Sequence, residues 1–290
     1  MPGTTTVSDL IREYVASSDF ERLRDLTRRD YIRQLKRIAD CFGDLAVEDV
    51  ESRGFRRQIT EWRDLCSSAR PADYGVQVFS ILMSWAVSYG YAEHNSIRGV
   101  RRRYHNDRRA ATWSACDVDA FLSCAPDYLA IALHLALETG QRQGDLIRLR
   151  WSDIREGVVV LTQRKNRAYV AVPVSPKLAD VLHTAPRGVG NTVLINSDGR
   201  PWHPGGGGFR NGWRTAAKRA GVRERTFHDL RGTFVTNRLS EGWTSEEVAM
   251  CTGHSLGSLR MLDVYANRRI AAERLARARL GASAVSSSTF

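Results

Sequence analysis

Glu138-Thr139-Gly140-Gln141-Arg142-Gln143-Gly144-Asp145-Leu146-Ile147-Arg148-Leu149-Arg150-Trp151-Ser152-Asp153-Ile154 decides how the second half of the chain is read. The segment reads as a helix entered through a glycine turn. That sets Arg142 near a helix N-terminus, where unpaired N–H groups and the dipole favour an anion. Asp145 lies one turn on and is expected to fix the Arg142 guanidinium by a bidentate contact. Taken alone, an arginine–aspartate pair on a helix is an ordinary surface ion pair, so the surrounding sequence has to decide.

Upstream, Trp113-Ser114-Ala115-Cys116-Asp117 carries an N-cap serine with an acid in the capping-box position. The longest apolar stretch follows, Tyr128 to Leu137. It contains His134 and falls well short of the roughly 20 residues a membrane span needs, so it reads as a buried helix. Downstream, Val158-Val159-Val160-Leu161-Thr162 and Ala168-Tyr169-Val170-Ala171-Val172 are β-branched runs separated by Gln163 to Arg167. They predict a hairpin with Lys165 at its tip. After an irregular Gly205 to Gly208 segment, a helix is expected near 209–220.

His228-Asp229-Leu230-Arg231 puts an imidazole and a guanidinium at i and i+3, on one helical face, with Leu230 and Phe234 turned inward. Gly242 stops that helix. Thr244-Ser245-Glu246-Glu247 resembles a capping box opening another, which Gly253-His254 closes. Tyr265 falls on a further helix whose buried stripe is Leu259, Leu262 and Ala266. Read singly, these are a surface or capping arginine, a core or capping histidine and a packing tyrosine. Together they are cations, hydrogen-bond donors, an acid and a phenol, the parts needed to open a phosphodiester.

The first half differs in character. From Val7 to about Asn95 the periodicity is helical throughout, with Ile32, Leu35, Ala39 and Phe42, and again Phe79, Leu82, Met83 and Ala86, at three- and four-residue steps. A four- or five-helix bundle is expected, with main helices near 7–17, 27–43, 53–69 and 72–90 and with Gly43, Gly54 and Gly90 at their ends. Between the halves, Arg98, Arg101, Arg102, Arg103, Arg108 and Arg109 crowd a stretch whose one acid is Asp107. It reads as a basic linker across a phosphate backbone, or else as a solvated loop.

The resulting division is a helical domain over 1–97, the linker over 98–112, a mixed α/β domain over 113–281 and a disordered tail over 282–290. The chain of 290 residues is thus mainly α with a small β-sheet. A hydrophobic fraction of 42% with 26% charged residues is that of a globular protein. Lysine and arginine number 43 against 32 acids, a formal +11, which points to a polyanionic partner. Cys41, Cys66, Cys116, Cys124 and Cys251 have no metal-ligand spacing and read as reduced thiols of a cytoplasmic protein, and MPGTTTVSDL lacks the features of a signal peptide.

The order and context of the six groups resemble those of the tyrosine recombinases, or phage integrases. The landmarks are the Thr-Gly-x-Arg segment with Leu-x-Trp-Ser-Asp-Ile, the His228-x-x-Arg231 box, Thr252-Gly253-His254, and Asp263-Val264-Tyr265-Ala266. The similarity runs from about Ala111 to Arg274, and the helical half takes the place of the family's core-binding domain. The resemblance implies that Tyr265 attacks a DNA phosphate to give a 3′-phosphotyrosyl link and a free 5′-hydroxyl. Arg142 and Arg231 would hold the non-bridging oxygens, His228 and His254 donate hydrogen bonds or shuttle a proton, and Lys165 protonate the departing oxygen.

It also implies a homotetramer on two double-stranded DNA sites, each duplex held between the two domains, with accessory DNA-bending proteins as further partners. No cofactor, metal or membrane is implied, and the glycine runs match neither nucleotide-binding fingerprint. Three positions depart from the family's pattern: Gly232 after Arg231, Asn166 after Lys165, and the long interval from His254 to Tyr265. Helical sequence begins near residue 7, which favours a simple core-site enzyme. His-Asp-Leu-Arg-Gly-Thr from His228 differs from the box usual in dimer resolvases, so the integrase of a mobile element is expected, with a resolvase of chromosome or plasmid dimers as the alternative. A non-catalytic DNA-binding relative and a type IB topoisomerase are the other readings.

Overall fold

The computed structural model describes residues 5–104, 111–203, 205, 207–255 and 257. Arg108, Arg109 and Tyr265, the Leu259–Ala266 stripe and the tail at 282–290 lie outside the described residues. The chain divides into two compact units, 1–106 and 107–290.

The first unit is helical: α1 (Val7–Ala16), α2 (Ser18–Glu21), α3 (Asp25–Phe42), α4 (Val47–Glu51), α5 (Phe55–Asp64) and α6 (Ala69–Ser88). α1 starts where Thr6 and Asp9 satisfy each other's backbone N–H groups in a capping box. α6 is the apolar centre, burying Phe79, Leu82, Met83 and Ala86 against Leu35, Ile38 and Phe42 of α3 and Ile59 of α5. Ile32, expected on the buried stripe of α3, is instead 50% exposed. The stripe runs through Leu35, Ile38 and Phe42, one position off the phase that Ile32 suggests. Gly54 opens α5 and does not close a helix.

Arg98 to Arg103, part of the expected basic linker, are tied to this unit. The Arg98 carbonyl accepts from Arg56 and the Arg101 carbonyl from the buried Arg63. Arg103 reaches the carbonyls of Arg63 and Cys66 at 3.3 and 3.2 Å, capping the end of α5. Asp73 receives the backbone N–H groups of Arg103 and Tyr104.

The second unit has α7 (Ala115–Leu122), α8 (Asp127–Thr139), α9 (Gln143–Leu146), a 3-10 turn (Trp151–Asp153), then β1 (Ile154–Arg155), β2 (Val158–Thr162) and β3 (Tyr169–Pro173). α10 (Pro176–Thr184), α11 (Gly208–Arg219), α12 (Asp229–Ser240) and α13 (Ser245–Thr252) follow. The sheet is antiparallel in the order β1-β2-β3, with Val159 opposite Val172 and Thr162 opposite Tyr169. β2 and β3 are the expected hairpin. α8 is apolar on nearly every side because α12 and α10 both pack on it, and α13 lies against β3. Trp113, Phe121, Phe209, Trp213 and Phe227 form the aromatic part of the core.

The single helix expected through Gly140 to Ile154 is broken. Gly140 takes a left-handed φ of 64° to cap α8, and α9 lasts one turn before the chain turns into β1. A Cβ at Gly140 would stand 2.5 Å from Phe234 Cδ1, so both the backbone conformation and the space demand glycine.

Candidate active site

Four chain reversals of the second unit converge: the α8–α9 turn, the β2–β3 turn, the start of α12 and the end of α13. Arg142 is the N-cap residue of α9, in extended conformation, so its side chain leaves toward β2. Its Nη1 donates to Gln163 Oε1 at 2.5 Å. Asp145, expected to hold that guanidinium, does not take this place. It accepts the backbone N–H of Arg164 at 3.0 Å and so pins the start of the β2–β3 turn. The reason is that Arg142 precedes α9 in extended conformation, outside the helical spacing that would turn it toward Asp145.

Arg231 is only 3% exposed, one turn into α12. Its Nη1 donates to the Gly140 carbonyl at 2.7 Å and its Nη2 to the Thr252 carbonyl. Both acceptors are helix-terminal carbonyls left open where α8 and α13 end. Burial first, and then Arg142, push its pKa down to about 9, with Asp145 opposing, so the guanidinium stays charged at neutral pH.

Gly253 caps α13 with a φ of 63° and swings His254 back toward Arg231. A Cβ there would meet Ala168 Cβ and Gln163 Oε1 at 2.9 Å. The guanidinium of Arg231 lies against the imidazole, 3.3–3.4 Å from the ring nitrogens. The hydroxyl of Thr252 donates to the Val248 carbonyl, so its oxygen accepts from His254 Nδ1, 3.0 Å away. This assigns the proton to Nδ1 and leaves Nε2 a bare acceptor. Burial, then Arg231, Arg142 and His228, push the His254 pKa down to about 3. The ring is neutral.

His228 sits at the N-cap position of α12 and its side of the site is open to solvent. Partial burial, then Arg231, with Arg142 and Lys165 also contributing, lowers its pKa below the usual histidine value. That Lys165 acts on His228 places the hairpin turn at the same site. Lys165 itself is exposed in that turn, and the next residue, Asn166, donates to the Gly253 carbonyl at 2.7 Å. The departure at Asn166 thus has a structural use. It ties the lysine's turn to the segment that presents His254. Gly232 leaves room beside the Ala111 carbonyl, 3.6 Å from where a Cβ would stand.

Two residues here were missed in the sequence, Gln141 and Gln163, both essentially fully buried. Gln141 Nε2 donates to the Thr139 and Cys251 carbonyls at 2.8 and 2.7 Å. Gln163 Nε2 donates to Gln141 Oε1 at 2.6 Å and to the Thr252 carbonyl at 2.8 Å. A signal for Gln163 existed: it continues the inward phase of Val159 and Leu161 past the end of β2. Among the described residues no cluster of His, Cys, Asp or Glu could hold a metal ion, and no helix is long and apolar enough to cross a membrane.

Arg142, Arg231, His228, His254 and the Lys165 turn, expected to act together, are thus gathered at one place in the second unit. Residues 113–271 match the family model described as the phage integrase family. The chain belongs to that family, the tyrosine recombinases. The matched span includes position 265, whose tyrosine lies outside the described residues.

Relatives of this integrase-family chain include a shufflon-specific DNA recombinase of Escherichia coli, 30% identical over 189 residues. That match covers 63% of this chain, which spans about half, 47%, of the relative. Among solved structures, a lambda integrase tetramer bound to a Holliday junction superimposes with a TM-score of 0.70 at 21% identity, covering 87% of this chain and 78% of that one. The Tn1549 transposon integrase in complex with transposon right end DNA gives 0.72 at 14% identity, covering 94% and 100%. At these identities the two structures speak for the fold, which is mainly helical with a small sheet.

Proposed function

We propose that this chain is a site-specific DNA recombinase that breaks and rejoins duplex DNA through Tyr265, with no nucleotide cofactor. One observation carries the reading. Two guanidinium groups from different elements, Arg142 and Arg231, are held at one pocket by uncharged oxygens, with His228, His254 and Lys165 beside them. Such a pocket gathers positive charge and keeps it available to a phosphate.

The chemistry follows. The phenolic oxygen of Tyr265 attacks the phosphorus, the bond from phosphorus to the 5′-oxygen breaks, and the phenol's proton must leave while the 5′-oxygen gains one. His228, unprotonated because its pKa lies below the usual histidine value and placed on the open side of the site, takes up the phenol's proton. His254, whose pKa is held down to about 3 against Arg231, is too weak a base for that and stays a hydrogen-bonding partner. Lys165 delivers the proton to the departing oxygen. Arg142 and Arg231 hold the two non-bridging oxygens as charge builds on them. The covalent link conserves the phosphodiester, so a second 5′-hydroxyl reverses the steps on a new strand.

The partners follow from this reading: double-stranded DNA at specific sites, a tetramer of this chain when two sites are paired, accessory DNA-bending proteins, and a cytoplasmic setting. The proteins named above are a shufflon-specific DNA recombinase, lambda integrase and a transposon integrase. That supports the integrase of a mobile element over a dimer resolvase. A suicide substrate, nicked so that the cleaved 5′ fragment diffuses away, tests the proposal. The expected result is a covalent protein–DNA adduct that Tyr265→Phe abolishes. No adduct on the cognate site would sink it, and relaxation of any supercoiled plasmid would favour a topoisomerase.

A further inference from the structure

Arg142 is fixed by a side-chain amide where a carboxylate would be the stronger partner. The orientation of that amide is determined by its surroundings. Gln141 turns its nitrogen to the carbonyls of Thr139 and Cys251, so its oxygen faces Gln163. The Gln163 nitrogen must then face Gln141 and the Thr252 carbonyl, which leaves its oxygen for Arg142. The Thr252 carbonyl also accepts from Arg231 Nη2. One continuous path of hydrogen bonds therefore runs from Arg142 through Gln163 and the end of α13 to Arg231.

We propose that Gln163 is the positioning residue for Arg142. It fixes the guanidinium with an uncharged acceptor, so the full positive charge is left for the phosphate. The inference rests on the recombinase reading. A glutamate of the same size would hold Arg142 more firmly, yet it would neutralise the charge and offer no donor to Gln141 or Thr252. A methionine would leave Arg142 charged but unfixed. Both changes should damage the chemical step and spare ground-state DNA binding, where many other phosphate contacts contribute.

The test is a double-mutant cycle in single-turnover cleavage of the suicide substrate at saturating DNA, with full-length protein. Gln163→Met and Gln163→Glu should each slow adduct formation by about 10- to 100-fold, the scale of misplacing or muting one positioned group. Half-site affinity should stay close to wild type. The combination Arg142→Ala with Gln163→Met should be no slower than Arg142→Ala alone, because Gln163 acts through the guanidinium. Independent losses that multiply would show a merely structural role and overturn the proposal, as would wild-type cleavage by Gln163→Glu. If Gln163→Met does not fold, the isosteric Gln163→Glu, combined with Arg142→Ala, gives the same comparison. Failure of the wild type to form any adduct overturns the recombinase reading itself and is told apart from these outcomes.

Discussion

The neutral state of His254 makes acid stability a direct readout of the cationic pocket. Its pKa is about 3 in the fold against 6.5 for a free histidine, so between those values the unfolded chain binds a proton that the folded chain refuses. Stability from this group is fully present above 6.5 and is lost as the pH falls through the window toward 3. At about 1.36 kcal/mol per unit the full loss approaches roughly 5 kcal/mol, and from pH 7 to pH 5 it is about 2 kcal/mol. For a unit of this size that is a fall in Tm of about 4–8 °C. His254→Asn keeps an N–H where Nδ1 meets Thr252 but cannot titrate. Calorimetry at pH 7 and pH 5, resolving the transition of the second unit, should show the Asn variant losing about 2 kcal/mol less than wild type. His228 and the carboxylates titrate in both proteins and cancel in the difference. An equal loss in the two would refute the assignment of His254 as a neutral ring facing Arg231, Arg142 and His228. Binding of a DNA half-site should flatten the wild-type slope, since a phosphate beside the imidazole favours its protonated form.

Gly140→Ala should destabilise the second unit by about 2–5 kcal/mol, from a left-handed residue with a Cβ and from overpacking against Phe234. Urea titration checks it, and a change near zero would mean that the α8 cap is softer than its contacts imply. Asn166→Ala removes an exposed hydrogen bond to the Gly253 carbonyl and should cost no more than about 1 kcal/mol. It should still slow adduct formation if that bond sets the Lys165 turn, and unchanged single-turnover cleavage would remove Asn166 from the site. Arg103→Ala, which uncaps α5, should lower the Tm of the first unit and leave the salt dependence of DNA binding nearly unchanged. Arg102→Ala should do the reverse, lowering the magnitude of the salt slope by about 1, and filter binding across a salt series separates the two.

The parts of this protein legible in its sequence are those governed by local rules. The β2–β3 hairpin follows from two β-branched runs around a polar turn, and the capping boxes at Ser114 and Thr244 from side chains that satisfy their own helix starts. His228 and Arg231 come together because helical spacing brings them together. Non-local competition hid the rest. The segment from Gly140 to Ile154 has helical periodicity, but packing of Phe234 against Gly140 and pairing of Ile154 with Val159 end the helix after one turn. Gln141 and Gln163 look like loop residues because nothing in either segment alone reveals the Cys251 and Thr252 carbonyls that α13 brings near. Arg103 reads as a phosphate contact, and nothing local shows that the Arg63 and Cys66 carbonyls at the end of α5 lie within its reach. Ile32 fails for the opposite reason: the spacing is right for a stripe, but α6 covers the neighbouring one.

The pocket's chemistry depends on a conflict that the fold tolerates. A guanidinium 3% exposed and next to another cation is unfavourable, and the pKa of Arg231, pushed down to about 9, records that cost. For a cation the sign is adverse: below about 9 the fold carries the whole penalty, and it is relieved only as the pH rises from there toward the free value of 12.5. A carboxylate contact would relieve it at neutral pH, and Asp145 is close enough to oppose the shift. Yet that carboxylate is turned to the Arg164 N–H, while Gly140, Thr252 and Gln163 supply uncharged oxygens to the two arginines. Uncharged acceptors fix direction and leave charge unspent. The unfavourable field is then relieved by whatever anion enters, and most by the one whose charge grows between the two guanidinium groups. A pentacoordinate phosphate carries more charge on its non-bridging oxygens than the diester it comes from. On the proposed reading, the electrostatic strain of the pocket is released more fully in the transition state than on binding, which is the condition for catalysis rather than mere affinity.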